Sequence, residues 1–270
     1  MNADRNEMSL GRWIEERQSA GIYHFTREEA LSELKIKPNS FVKACIRLQA
    51  RRKLARPHRG FFVIVTPEYA AAGIVPVEWF IDALMKYIGG PYYIGLLSAA
   101  VYHGAAHQRP ETYHIVTSRA GTRKLSCGNL VIRFFRKKHP ENTLVQMIKC
   151  PAGYIPVSTP EETAFDILSY SSSIGGLDRV LTVLKELCEK IDPSILLKVA
   201  KKENCISLAQ RLGCLIDQTD FGDRTDKLAE WIKRKNPRHV KLDFHLSSAN
   251  SKKDSRWNVC VNTTVESDIQ

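Results

Sequence analysis

The stretch "NSFVKACIRLQARRKLARPHRGFFVIV", residues 39–65, decides how the chain reads. Phe41, Ala44, Cys45 and Leu48 recur at spacings of three, four and seven, the apolar stripe of a helix. Ser40, Lys43, Arg47 and Arg51 fall on its other face. Pro38 is expected to end the preceding helix, with Asn39 or Ser40 capping this one. Beyond Leu54, "ARPHRGFFVIV" reads as a β-hairpin with a tight turn at Pro57 to Gly60. From Lys35 to Gly60 there are nine Lys or Arg and no Asp or Glu. The acid-free run crosses a helix, a turn and a hairpin, so the charge belongs to a surface and not to one element. The plainer alternative is a solvated basic helix face, which is what most charged helix faces are.

Upstream, Glu7 to Ala20 carries Met8, Leu10, Trp13 and Ile14 at helical spacing. "GIYHF" is a brief extended stretch. Thr26 opens "TREE", a capping-box pattern with Glu29, and Ala30, Leu31 and Leu34 form one face of the helix behind it. Helix, short strand, helix, turn, helix, hairpin is the order of a winged helix-turn-helix, expected over residues 1–68. "TPEYAAAG" reads as a linker. A larger α+β domain is expected over 76–270. In it, Pro76 opens a helix through Trp79, Phe80, Leu84 and Tyr87, and "YIGLLSAAVYHG" is a second helix. "TYHIVTS", "NLVIRFFRK", "TLVQMIK" and "YIPVS" read as strands, and from Thr159 the pattern is mostly helical. "VKLDFHL" and "RWNVCVN" read as late strands.

Composition narrows the function. Across 270 residues, 43% hydrophobic and 26% charged residues are ordinary for a globular protein. A net charge of +11 favours an anionic partner. No apolar run reaches the roughly 20 residues of a membrane span, and the first ten residues hold no apolar signal core. Seven scattered cysteines without a CxxC pair read as reduced thiols in a cytoplasm.

The basic surface suits duplex DNA. Short polar residues at a helix N-terminus, Asn39 and Ser40, sit where amides and dipole favour phosphate. Lys43 and Arg47, further along, present donors for guanine O6 and N7, with Arg51 at the groove rim. Arg56, His58 and Arg59 on the hairpin would reach backbone or minor groove. A candidate second basic surface comprises Arg119, Arg123, Lys124, Arg133, Arg136, Lys137 and Lys138. If "TYHIVTS" and "NLVIRFFRK" pair as a hairpin, these gather into one ribbon, which would bind nucleic acid or simply protect a sheet edge.

Other constellations are weaker. His103 and His107 have the spacing of two helical metal ligands, but Gly104 stands where a metalloprotease needs glutamate. Asp217, Asp220, Asp223 and Asp226 would hold Mg²⁺ in a nuclease; a loop followed by an acidic first helical turn explains them more simply. Ser158 and Thr159 before "PEE" form a helix cap, not a nucleophile. No residue pattern in the sequence marks a catalytic set, a metal site or a cofactor.

"YYIGLLSAAVYHGAAHQRPETYHIVTS", "VSTPEETAFDIL", "RLGCLID" and "SRWNVCVNTTVESD", in that order, resemble the AbiEi antitoxin family of bacterial abortive-infection toxin–antitoxin systems. The resemblance implies a cytoplasmic transcriptional autorepressor whose N-terminal winged helix binds inverted repeats in its operon promoter. It implies an antitoxin activity in the C-terminal domain and a nucleotidyltransferase-like toxin as functional partner, without a stable complex. A solitary regulator with no toxin gene, or a winged-helix-targeted nuclease, are the alternatives.

Overall fold

The computed structural model describes residues 9–105, 111–119, 124–249 and 251–267. Glu7, Met8, His107 and Arg123 lie outside them. Helix α1 (Leu10–Ser19) starts at Ser9, whose hydroxyl accepts from the Arg12 amide at 3.3 Å, and it buries Leu10, Trp13 and Ile14. Strand β1 (His24–Thr26) runs into α2 (Arg27–Leu34) through the expected capping box. Thr26 Oγ1 accepts from the Glu29 amide at 3.1 Å, and Glu29 Oε2 accepts from the Thr26 amide at 2.6 Å.

Helix α3 (Pro38–Ala50) corrects the sequence expectation at its start. Pro38 is its first residue and Lys37 its N-cap, with no side-chain cap bond, so Asn39 and Ser40 sit inside the first turn. Proline suits that position because the amide it lacks would have no intrahelical partner there. The hairpin is β2 (Leu54–His58) and β3 (Phe61–Ile64). Its turn is Arg59–Gly60, and Pro57 lies within β2, where the register shifts between Ala55 and His58. Gly60 takes a φ of +81° that favours glycine. The sheet order is β1-β3-β2, with Phe25 opposite Phe62 and Leu54 opposite Ile64. Leu10, Trp13, Ile14, Phe25, Ala30, Phe41, Cys45, Leu54, Phe62 and Ile64 form one apolar core between these helices and the sheet. Phe41 meets Phe62 edge-on at 5.5 Å and Trp13 meets Phe25 edge-on at 5.1 Å. Each such ring contributes roughly 1.5–3 kcal/mol by leaving water.

After Ile64 the expected helix at Pro76 is interrupted. Val77–Trp79 form a 3₁₀ turn, Phe80 breaks it at φ −141°, and α4 (Ile81–Ile88) follows, ending at Gly89. The next expected helix divides as well. Tyr92–Ile94 is strand β4, Gly95 caps, and α5 spans Leu96–Tyr102. Aromatic and β-branched residues at 92–94 favour the strand. Strands β5 (Thr112–Thr117), β6 (Lys124–Cys127), β7 (Leu130–Arg136), β8 (Val145–Cys150) and β9 (Gly153–Ser158) follow, in the sheet order β6-β7-β5-β4-β9-β8. β5 and β7 do not form a hairpin. They pair in parallel, from Thr112 opposite Val131 to Thr117 opposite Arg136, and β6 supplies the antiparallel neighbour of β7.

The remainder is chiefly helical: α6 (Pro160–Ser169), α7 (Ser171–Ile174), α8 (Gly176–Leu187), α9 (Pro193–Glu203), α10 (Ile206–Ile216) and α11 (Asp226–Lys235). The late strands are short: β10 (Val240–Lys241), β11 (Lys252–Asp254) and β12 (Val259–Val261), ordered β10-β12-β11. The α+β class expected from sequence is the class observed. Two compact units comprise residues 1–92, 111–140 and 147–155, and residues 93–110, 141–146 and 156–270. Among the described residues no helix is long and apolar enough to cross a membrane.

Candidate nucleic-acid interface

The apolar stripe of α3 fixes which face remains outside. Phe41 and Cys45 are buried, and Ala44 and Leu48 pack partly buried against the same core. Asn39, Ser40, Lys43 and Arg47 are exposed, and Arg51 is the exposed C-cap. Among the described residues Lys43, Arg47, Arg51, Arg52 and Arg59 form no ion pair, whereas Lys53 lies 3.5 Å from Glu15. Like charges gathered without counter-charges repel one another, a cost that a polyanion removes.

The hairpin carries the other predicted residues. Arg56 is exposed on β2, its guanidinium 5.9 Å from the Phe62 ring centre. His58, half-buried, directs Nδ1 at the Arg59 carbonyl at 3.0 Å. Arg59 stands exposed in the turn. Tyr87 of α4, in the same compact unit, holds this tip: its hydroxyl donates to the Arg59 carbonyl at 3.2 Å. A Cβ on Gly60 would collide with that hydroxyl. Sequence gave no sign of this clamp, because 28 residues separate its partners.

Two further residues on α3 escaped the sequence reading. Val42 and Ile46 are exposed, at 46% and 60%. Counting all exposed positions at about 100° per residue, not only the charged ones, would have found them.

The candidate second surface is less unified. Lys124 stands opposite Arg133 across β6 and β7, both exposed, and Arg133 lies over the Phe135 ring at 5.2 Å. Strand alternation sends Arg136 to the opposite face of β7 from Arg133. Arg119 and Lys138 are exposed just beyond β5 and β7, and Lys137 is half-buried. The single ribbon envisaged from a hairpin therefore does not form, since β5 and β7 are parallel.

In the other compact unit, charge is buried and partnered. Thr159 caps α6 by accepting from the Glu162 amide at 3.4 Å, with Pro160 in the first turn. Glu161 Oε1 accepts from the Asp192 amide at 2.8 Å. Glu162 Oε1 accepts from the Leu144 amide at 3.0 Å and from Lys202 Nζ at 2.7 Å. Asp166 Oδ2 accepts from the Tyr93 hydroxyl at 2.7 Å. Burial first, then the Asp166 carboxylate, holds that phenol well above its ordinary pKa. His103 Nε2 donates to the Ser158 carbonyl at 2.7 Å, and burial lowers its pKa. That bond ties Nε2 to the backbone at the start of α6.

The aspartate cluster does not assemble as a metal site. Asp217 accepts from Thr225 Oγ1 at 2.9 Å and from the indole N–H of Trp257 at 2.7 Å, with Arg256 Nε at 3.4 Å. Asp226 pairs with Arg256 at 2.7 Å, while Asp220 and Asp223 are exposed. Among the described residues no three His, Cys, Asp or Glu side chains gather as metal ligands. Gly213 lets the buried Trp257 ring lie against α10, where any Cβ would strike it. "RLGCLID" and "SRWNVCVN" thus meet through Gly213, Asp217, Arg256 and Trp257.

Residues 93–218 match the family model of the AbiEi antitoxin C-terminal domain, so this segment carries an AbiEi-type antitoxin domain. The resemblance read from the sequence is borne out there. The match begins where the second compact unit begins and also spans segments of the first. A crystal structure of the RV2827C protein from Mycobacterium tuberculosis shares the fold, with a TM-score of 0.65 and 16% identity over 92% of this chain and 89% of that one. Comparison with curated proteins gives no match.

Proposed function

We propose that the chain is a sequence-specific DNA-binding autorepressor with antitoxin activity. The observation that carries the DNA-binding half is the unpaired basic face of α3 beside the hairpin. Helix α2, the turn Lys35–Lys37, helix α3 and the hairpin β2–β3 support reading residues 1–68 as a winged helix-turn-helix. On this reading α3 enters the major groove with Asn39, Ser40, Lys43 and Arg47, and Arg51 lies at the rim. Arg56, His58 and Arg59 contact backbone or minor groove. The target is an inverted repeat in the chain's own promoter, in a bacterial cytoplasm. Lys124, Arg133 and their neighbours are a secondary phosphate-contacting candidate.

The antitoxin half rests on the domain at residues 93–218. Its functional partner is a toxin, and by the AbiEi resemblance a nucleotidyltransferase-like one, neutralised without a stable complex. We read the chain as non-enzymatic: Glu161, Glu162, Asp166 and Asp217 each anchor a donor of the fold, and among the described residues no three His, Cys, Asp or Glu side chains gather as metal ligands. The test of the DNA reading is an anisotropy titration of the full chain with its promoter duplex and a scrambled duplex. Tighter binding to the promoter supports repression; equal affinity rejects it. Co-expression with the neighbouring reading frame tests the antitoxin half, with rescued growth as the expected outcome and unrelieved toxicity as the contrary one.

A further inference from the structure

Helix α3 exposes two apolar side chains on its basic face, Val42 and Ile46, one turn apart and 46% and 60% accessible. At about 100° per residue, Asn39, Lys43, Ile46 and Ala50 form the outermost row of the helix. Ser40 and Arg47 flank that row on one side and Val42 on the other. The exposed face is therefore divided into a cationic strip and an adjoining branched aliphatic strip.

Single exposed aliphatics are common on protein surfaces. These two are adjacent, and both are β-branched, a type that weakens a helix slightly compared with alanine, leucine or lysine. At exposed positions they gain no core packing in return. An apolar protein partner would fit the aliphatic strip alone. It would leave Lys43 and Arg47 against apolar surface, in a stretch with no acid between residues 35 and 60. A major groove fits both strips. Its phosphates and guanine edges suit the cations, and it displays one apolar group, the C5-methyl of thymine.

We infer that Val42 and Ile46 read thymine methyl groups in the operator, beside the bases contacted by Lys43 and Arg47. The inference rests on the DNA-binding role proposed for α3 and adds to it a residue-level specificity. The operator half-site then holds thymine next to the guanine position, and neither residue contributes to binding random duplex.

The test replaces each thymine of the footprinted half-site by deoxyuridine, which removes only the methyl. For the wild-type chain, affinity should fall about fourfold for each methyl that is contacted, the equivalent of one buried methylene. The Val42→Ala/Ile46→Ala variant keeps good helix formers on α3. It should bind the thymine operator as weakly as the wild type binds the uracil operator, and should not distinguish the two. Wild-type indifference to uracil would overturn the inference, as would a double variant that still senses the methyl by the same factor. A change in the variant's sedimentation mass, coupled with wild-type indifference to uracil, would make the strip a protein interface instead. If the wild type fails to distinguish promoter from scrambled duplex before any thymine is changed, the DNA-binding reading itself falls, and this inference with it.

Discussion

On α3, Lys43 and Arg47 stand in solvent without an acidic partner; on α6, Glu161, Glu162 and Asp166 are buried, each accepting from a donor. The contrast separates two uses of charge. A carboxylate taken out of water is costly unless hydrogen-bonded, so the α6 set is tied to Tyr93, Leu144, Asp192 and Lys202 and holds its own fold together. The α3 set keeps its hydration, contributes little to stability and retains all its capacity to bind something else.

Stability measurements can break that contrast. Glu162→Ala would leave the Lys202 ammonium and the Leu144 amide without their acceptor. Losing one member of a buried pair costs about 3–5 kcal/mol. The 29% exposure of the Lys202 side chain places the expectation at the lower end of that range. Lys43→Ala should change stability by less than about 0.5 kcal/mol. Urea denaturation of both variants decides the matter, and similar losses would abolish the distinction.

Acid should act on the scaffold and spare the α3 face. His114 in β5 is buried, and burial, with the Arg133 charge as the lesser cause, lowers its pKa from 6.5 to about 4. Because the folded value lies below the unfolded one, the unfolded state binds more protons between them. Stability is therefore full above the unfolded value and declines as pH falls from 6.5 toward 4, by on the order of 3 kcal/mol. His24 and His103, also lowered by burial, act in the same direction. His114→Gln should flatten the slope of stability against pH in that window. An unchanged slope would show that the other histidines carry it.

The smallest effect sharpens the account of the hairpin tip. Tyr87→Phe removes one hydrogen bond to the Arg59 carbonyl, worth about 0.5–1.5 kcal/mol, and the partly exposed site favours the lower figure. Amide exchange at Gly60 and Phe61 should quicken while exchange at Phe41 does not. Equal acceleration at both would mean that the tip and the helix open as one.

What the sequence disclosed follows the range of the interactions concerned. The Thr26–Glu29 capping box, the cap and proline opening α6, and the stripe of α3 are local patterns, and the structure contains each. Pro38 misled because proline both ends helices and begins them, and the choice depends on which amide it removes. Parallel pairing of β5 with β7 was out of reach, since nothing in either strand marks its partner and β6 intervenes. Val42 and Ile46 were legible but overlooked, because attention to charge conceals an apolar strip beside it. The Tyr87 clamp and the meeting of Asp217 with Arg256 and Trp257 depend on tertiary contacts that no local pattern encodes.

The central claim is that the free cations of α3 read sequence while those of the hairpin hold phosphate. Salt series of binding isotherms on promoter and scrambled duplex, for Arg47→Ala and Arg59→Ala, test it most directly. Arg47→Ala should lose about 1–3 kcal/mol on the promoter and little on scrambled DNA. Arg59→Ala should weaken both and reduce the salt slope by about one unit. Equal losses on both duplexes for Arg47→Ala would contradict the account and leave α3 as an electrostatic support alone.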